Sequence, residues 1–443
     1  MLWFSASLFA AAATPNHSLF IISVTQTQHT MKHTKSILMA ALAALSIGSA
    51  SAAETIYITG STAFRSAANA AIVNYATTSG GAILAVDNST LSKAGNLLVS
   101  YVSGGSTNLI DVHWSGSEAG VQSIAGPSTG TNAAKIGFFA TNATGTNSSG
   151  GNSTSAQNTN SQVAELSFSD TYQSTSIFNG TQSGVTYSTL TGFDAADGIV
   201  GVVSFSWVGS TNIPASNITP NLANQLLSAG TIPLALLTGN SAQTNSGVYL
   251  VGRNIDSGTR LTTLAESGYG VKTQVVQYLF NNTSSITPYP IETINGISSA
   301  NIGNSGYSSG GTLCGLMTNT LAAGTGLVVD TNGSVPSVYT ATNFLVGYAG
   351  TSDANGQTAN GLVKLNYAGV ACSTNAIAAG QYTFWGYEHL YYGASATTAA
   401  KAVASSLGNL IYSSTTATLS PNVSISDMTV GRNGDGSPVY NNY

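Results

Sequence analysis

Three short stretches of this sequence place Gly beside Ser or Thr within a few residues after an apolar, β-branched run: Gly60-Ser61-Thr62, Ser115-Gly116-Ser117 and Asp256-Ser257-Gly258-Thr259. A helix that begins at such a turn presents backbone N–H groups without intrahelical partners and a partial positive charge. A flanking hydroxyl adds one more donor, and the sum is the chemistry of anion binding. One such turn serves equally well as an ordinary helix cap; several that converge on one point would make a site. Other chemistry has less to build on. His113 sits inside a strand pattern and His389 inside an aromatic run, residues 384–392. Neither adjoins a nucleophile as a Ser-His-Asp site requires, and both read as packed structural residues. No His/Cys cluster has zinc spacing, and no Walker or dinucleotide glycine pattern is present. The acids are scattered. No catalytic residue, metal or cofactor is therefore expected; an esterase or phosphatase built on the same turns would lack an evident base or metal cluster.

The elements that must hold those turns follow from the pattern around them. Residues 55–58 read as a strand and 63–75 as an Ala-rich helix; 110–114 and 118–125 repeat the unit, and 248–251 and 260–266 repeat it again. Strand, turn, helix in succession is an α/β pattern. The near-continuous apolar run 198–208 suits a strand buried on both faces. Thr219-Pro220 caps and opens a further helix that stops near Gly230. The Asn/Ser/Thr/Gly-rich stretch 141–162 reads as an exposed loop inserted on the fold.

Composition narrows the partners. Of 443 residues only 6% are charged, with 11 Lys+Arg against 16 Asp+Glu, where an ordinary soluble domain has roughly 25%. No basic stretch exists to neutralise phosphates, so nucleic acid is excluded as a partner read by charge. The 42% of hydrophobic residues supplies a substantial core and excludes general disorder.

The first 52 residues read as an address. Met31-Lys32-His33-Thr34-Lys35 is basic, residues 37–47 are apolar, and Ala50-Ser51-Ala52 is a small-residue cleavage signal. This is the order of a secretory signal peptide, with the signal proper at 31–52 and cleavage after Ala52. Residues 1–30 fit no part of it; they reflect either a start assigned too early, with Met31 the true start, or an extended leader. The mature chain is expected to be periplasmic or extracellular with no membrane span. There Cys314 and Cys372 form one disulfide or remain two buried thiols.

Taken in order, the motifs resemble those of the periplasmic phosphate-binding proteins of ABC transporters. Thr59-Gly60-Ser61-Thr62-Ala63-Phe64 resembles the family's first loop, and Gly116-Ser117-Glu118-Ala119-Gly120-Val121 its Gly-Ser turn. Phe168-Ser169-Asp170 resembles its buried Ser-Asp, Arg253-Asn254-Ile255-Asp256-Ser257-Gly258-Thr259 its Arg-x-x-x-Ser-Gly-Thr loop, and Val346-Gly347-Tyr348 its late strand. The similarity is clear over 54–270 and thin over 271–443. It implies an α/β, two-lobed class II periplasmic-binding-protein fold with a hinge and an interlobe cleft. Lobe one would span 54–204 plus 380–443, and lobe two 205–379. It implies a secreted solute-binding protein that takes inorganic phosphate, or a related protonated oxyanion, for uptake through an ABC permease. The ligand-binding residues implied are Ser61, Thr62, Ser117, Asp170, Arg253, Ser257, Gly258 and Thr259. Asp170 would face the anion and accept the proton that hydrogen phosphate carries and sulfate lacks. On this resemblance Arg253→Ala should abolish anion binding and leave thermal stability near that of the native chain. Ile255 departs from the family, which has an acid there to brace the arginine, and Glu118 stands where it has a small residue; Arg65 adds a cation near the first loop. The alternative is a secreted surface or matrix protein that keeps the fold without transport, which the low charge and the polar 141–162 stretch favour.

Overall fold

The computed structural model describes residues 53–442 apart from 147–157, 281–284, 295–296, 319–327, 330–338, 340 and 414–422. Residues 1–52, where a signal peptide is expected, and the centre of the 141–162 stretch lie outside these. The fold is mixed α/β, built on one long sheet. Its principal strands are β1 (Thr55–Gly60), β2 (Ile83–Val86), β3 (Asn96–Ser103), β4 (Ser106–His113), β5 (Leu166–Ser169), β6 (Ile199–Gly209), β7 (Thr231–Pro233), β8 (Gly247–Val251), β9 (Phe344–Gly350) and β10 (Trp385–Tyr392). Their spatial order is β7-β8-β9-β6-β10-β5-β1-β4-β3-β2.

Two parallel groups lie within this order. β5, β1 and β4 run parallel to one another, as do β8 and β9. The antiparallel strands β6 and β10 stand between them. β6 is the link: Ile199 to Ser204 pair with β10, and Phe205 to Gly209 pair with β9. The register sets where the two groups face each other. Ser204 lies opposite Trp385 at the start of β10, whose other side meets the carboxyl end of β5. Phe205 lies opposite Gly350, the carboxyl end of β9. The carboxyl ends of both parallel groups therefore meet at the middle of β6, and in open α/β sheets ligands bind outside such ends.

β6 can hold this central place because it is apolar on both faces: it is buried from Val200 onward. Phe205 and Trp207 pack with Phe384, and Trp207 also meets Tyr348. Each large apolar side chain so buried stabilises the fold by about 1.5–3 kcal/mol relative to exposure. The helices expected after the strands are present: α1 (Arg65–Thr78), α2 (Ser117–Ala125), α3 (Pro220–Ala229) and α4 (Gly258–Glu266). Thr219 accepts from Leu222 N–H as the cap of α3, and Gly230 ends it in the left-handed conformation that a residue without Cβ adopts at little cost. The short helix α5 (Thr351–Asn355) follows β9 directly, and α6 (Thr398–Tyr412) packs against α1 and β6. The stretch expected as a loop carries short strands at Gly145–Thr146 and Asn160–Gln162.

Candidate functional site

All eight residues singled out from the sequence lie at the carboxyl ends of β1, β4, β5 and β8, where the two parallel groups meet. Ser61 and Thr62 follow β1, Ser117 opens α2 after β4, and Asp170 follows β5. Arg253 stands two residues beyond β8, and Ser257, Gly258 and Thr259 form the start of α4. Contacts tie five of them into two groups, Ser117 with Asp170 and Gly258, and Arg253 with Thr62. The Ser117 hydroxyl donates to Asp170 Oδ1 at 2.5 Å and accepts from the Asp170 N–H at 3.2 Å. The Arg253 guanidinium donates from Nη2 to the Thr62 hydroxyl at 3.2 Å. Asp170 Oδ1 lies so close over Gly258 that a Cβ there would meet it at 1.6 Å, and would meet Ser117 Cβ at 2.8 Å. Gly258 is thus required by close approach, not by backbone conformation. Ser257 caps α4 through its carbonyl, which accepts from Arg260 and Leu261 N–H. The Thr259 carbonyl accepts from the Thr263 hydroxyl.

Arg253 is 1% exposed. Nε donates to the Tyr307 carbonyl at 3.0 Å and Nη2 to the Ser308 carbonyl at 2.8 Å, while Nη1 has no hydrogen-bond partner. Its backbone is held as well: Arg260 Nη1 and Gln277 Nε2 both donate to the Arg253 carbonyl. Removing this side chain would leave buried carbonyls unpaired and a cavity behind. The expectation that Arg253→Ala leaves stability unchanged is therefore corrected; the residue is a structural pin as well as a cation.

Ile255 offers Arg253 no charge, and the acid that acts on it most is Asp353. Asp353 lies in α5, after β9. It sits between Arg253 and Arg65, which both favour its charged form, although burial outweighs them and raises its pKa. A Cβ on Gly310 would lie 2.3 Å from Asp353 Oδ2 and 3.4 Å from Arg253 Nη1. Beside this group opens a cleft of about 510 Å³ whose lining includes Thr62, Arg65, Lys93, Ser309, Thr312 and Asp353.

Carboxyl groups crowd the site. Burial pushes Asp170 up to about 6, against the Ser117 hydrogen bond and the Arg253 charge. Burial likewise pushes Glu118 up to about 7, although its oxygens accept from Thr171 and Ser176 hydroxyls at 2.8 and 2.6 Å. Those bonds hold the Glu118 carboxylate on the Thr171–Ser176 loop. Asp435, from the C-terminal segment, accepts from the Tyr172 N–H at 2.9 Å and is pushed up to about 7, again by burial. Glu388, in β10, is fully buried and raised well above the usual carboxylate range.

The first turn of α2 is capped by protein. The Asp256 carbonyl accepts from the Glu118 N–H at 2.9 Å and from the Ala119 N–H at 3.4 Å. Ser117 and Asp170 are likewise packed on Gly258.

Sequence reasoning missed Asp353, Asp435 and Glu388. The first two carry no local signal, since each is a lone acid brought in from far along the chain. Glu388 did carry one: an acid inside an otherwise apolar strand is a buried charge, and buried charges mark sites. His113 and His389 are held by the backbone, with their Nδ1 atoms bonded to the Gly137 and Asp197 carbonyls. Cys314 and Cys372 are both free thiols, and burial raises Cys314 far above the usual thiol range.

No family model matches the sequence, and no curated protein matches it significantly. Solved structures do resemble it. A phosphate ABC transporter substrate-binding protein from Clostridium perfringens, with bound phosphate, is 11% identical with a TM-score of 0.40, over 81% of this chain and 96% of that one. An ABC-type phosphate transport receptor from Vibrio cholerae is 13% identical with a TM-score of 0.39, over 80% and 93%. A phosphate-binding protein from Stenotrophomonas maltophilia is 14% identical with a TM-score of 0.36, over 82% and 84%. At these identities and TM-scores both the fold and the ligand are argued from the chain's own residues. The chain is an α/β protein similar to the phosphate-binding proteins of ABC transporters.

Proposed function

We propose that this protein is a secreted solute-binding protein that takes phosphate, or a related protonated oxyanion, into the cleft where the two parallel groups meet. The observation that carries this reading is that four separate strand ends bring Thr62 to Arg253 and bring Ser117 and Asp170 to Gly258, with the Arg253 charge acting on Asp170. Arg253 Nη1 is a buried cationic donor without a partner, and such a group costs free energy unless something completes it. Ser61, Thr62, Ser117 and the α4 start through Ser257, Gly258 and Thr259 supply further hydroxyl and amide donors. Asp170 is the selective element: a carboxylate beside an anion repels it unless a shared proton bonds the two. Binding is the whole mechanism. The lobes, 54–204 with 380–443 and 205–379, would part about β6 to admit the anion and close on it, because only the closed form engages both sets of donors. A permease of the ABC type would then recognise that form, and the signal at 31–52 would deliver the chain to it.

One observation favours a second reading, a secreted surface or matrix protein that keeps the fold without transport. The α2 amides and Ser117 are already satisfied within the protein, by Asp256 and Asp170. Asp170→Asn separates the two readings. If Asp170 reads the ligand's proton, the variant loses phosphate affinity and gains sulfate affinity. Unchanged preference would sink the phosphate reading.

A further inference from the structure

Asp435 reaches the oxyanion site from a C-terminal hairpin that has so far been given no role. Val430–Gly431 pairs antiparallel with Tyr440–Asn441, and the Thr429 N–H and hydroxyl both donate to the Ala378 carbonyl at the base of the hairpin. The turn between the two strands carries Arg432, Asp435 and Gly436, and both charged side chains are buried. Arg432 Nη1 donates to Glu266 Oε2 at 3.1 Å and to the Trp385 carbonyl at 2.8 Å, and Nη2 donates to the Thr383 carbonyl at 2.8 Å. Asp435 Oδ2 accepts from the Tyr172 N–H at 2.9 Å, and the Tyr172 hydroxyl donates to the Arg432 carbonyl at 3.3 Å. Gly436 lies so close to α4 that a Cβ would meet the Ala265 carbonyl at 2.4 Å, and its φ of +67° already favours glycine.

These contacts have two ends. Tyr172 stands two residues beyond Asp170, and Ala265 and Glu266 close the helix that Gly258 opens. The hairpin thus grips both the loop that carries Asp170 and the helix on whose first residue Asp170 packs. In the proposed lobes the loop belongs to lobe one and the helix to lobe two. Asp170 needs such support, because the β5–β10 ladder ends at Ser169 and does not locate the residues after it. Side chains do so: Glu118 accepts from the Thr171 and Ser176 hydroxyls, and Asp435 from the Tyr172 N–H. Resting on the oxyanion reading, we propose that the C-terminal hairpin is a clasp that sets Asp170 against Gly258, with Asp435 and Arg432 as positioning residues for the anion. A carboxyl that reads a ligand's proton must lie within hydrogen-bond reach of it, and a shift of about 1 Å is enough to lose that reach. The preference for a protonated oxyanion is then set in part by the hairpin, through Asp170.

The test compares the native chain with Asp435→Ala, which removes the acceptor of the Tyr172 N–H, and with Asp435→Asn, which keeps an acceptor oxygen there without the charge. Inorganic phosphate and sulfate are titrated calorimetrically into all three. Asp435→Ala should bring the two affinities closer by about tenfold or more, as displacement of Asp170 requires, and Asp435→Asn should restore most of the native preference. A general loosening of the fold would lower both affinities alike. Urea unfolding without any anion gives an independent reading, through a double-mutant cycle of Asp435→Ala with Ser117→Ala. The Ser117 hydroxyl bonds to Asp170 and not to the hairpin, so the two changes add unless the hairpin holds Asp170 in place. The clasp predicts that Ser117→Ala costs less in the Asp435→Ala background. An unchanged phosphate-to-sulfate ratio in Asp435→Ala, or additive effects in the cycle, would overturn it. If the native chain binds neither anion while the cycle shows coupling, the positioning of Asp170 by the hairpin stands and the oxyanion reading falls.

Discussion

Gly258→Ala probes the contact that draws the site together. The added methyl would lie 1.6 Å from Asp170 Oδ1 and 2.8 Å from Ser117 Cβ. To reach a normal contact the carboxylate must retreat by more than an ångström, which breaks its 2.5 Å bond from the Ser117 hydroxyl. A hydrogen bond to a charged group contributes about 1.5–3 kcal/mol, and overpacking a tight site costs about 1–3 kcal/mol. Ala improves on Gly in a helix by at most about 1 kcal/mol. The net loss is about 3 kcal/mol, and phosphate affinity should fall with it. Urea unfolding of the single variant, of Asp170→Ala and of the double variant measures the loss and its origin. Without the Asp170 carboxylate the methyl has room, so in that background the Gly258→Ala cost should shrink below about 1 kcal/mol. A single variant as stable as the native chain, or an equal cost in both backgrounds, would show that α2 and α4 do not meet in solution, and would refute the convergence.

Arg253→Ala should abolish phosphate binding and also destabilise the fold by about 3 kcal/mol, as breaking a buried polar network does; denaturant unfolding of the variant checks the second part, and unchanged stability would contradict the pin. Asp353→Asn leaves Arg253 and Arg65 facing each other without their shared acid, so phosphate and sulfate should both bind more tightly while their ratio stays the same, as calorimetry would show. Stability should fall as pH rises from about 4, where unfolded carboxyls titrate, to about 8: Asp111 is raised to about 8, Glu118 and Asp435 to about 7, and Asp170 and Asp256 to about 6, all first by burial. For a raised carboxyl the folded state holds more protons than the unfolded one, so its stabilising effect is present at acid pH and is lost as pH rises through the folded value. His389, lowered to about 4 by burial, acts oppositely but only as pH falls below about 6.5. A melting temperature flat or rising across the alkaline half would show these acids to be solvated.

Much of this was legible because local rules and the fold agree. The turns at Ser61, Ser117 and Gly258 follow strands whose β-branched and aromatic residues mark them, and the apolar run of β6 announced a strand buried on both faces. Thr219-Pro220 and Gly230 bounded α3 to the residue. What the sequence could not supply is long-range. That Asp170 lies against Gly258, or that the Asp353 charge acts on Arg253, depends on strand order and register, which no local window contains. Nor did it show that Arg253 is pinned to the Tyr307 and Ser308 carbonyls, because those partners lie more than fifty residues away.

The most direct test of the central claim is calorimetric titration of phosphate, and separately of sulfate, into the chain from Ala53 after bound anion has been removed by partial unfolding and dialysis. The account predicts low-micromolar or tighter phosphate binding, about −8 kcal/mol or better, and no heat from sulfate. Folded protein that yields no heat from either anion would contradict it.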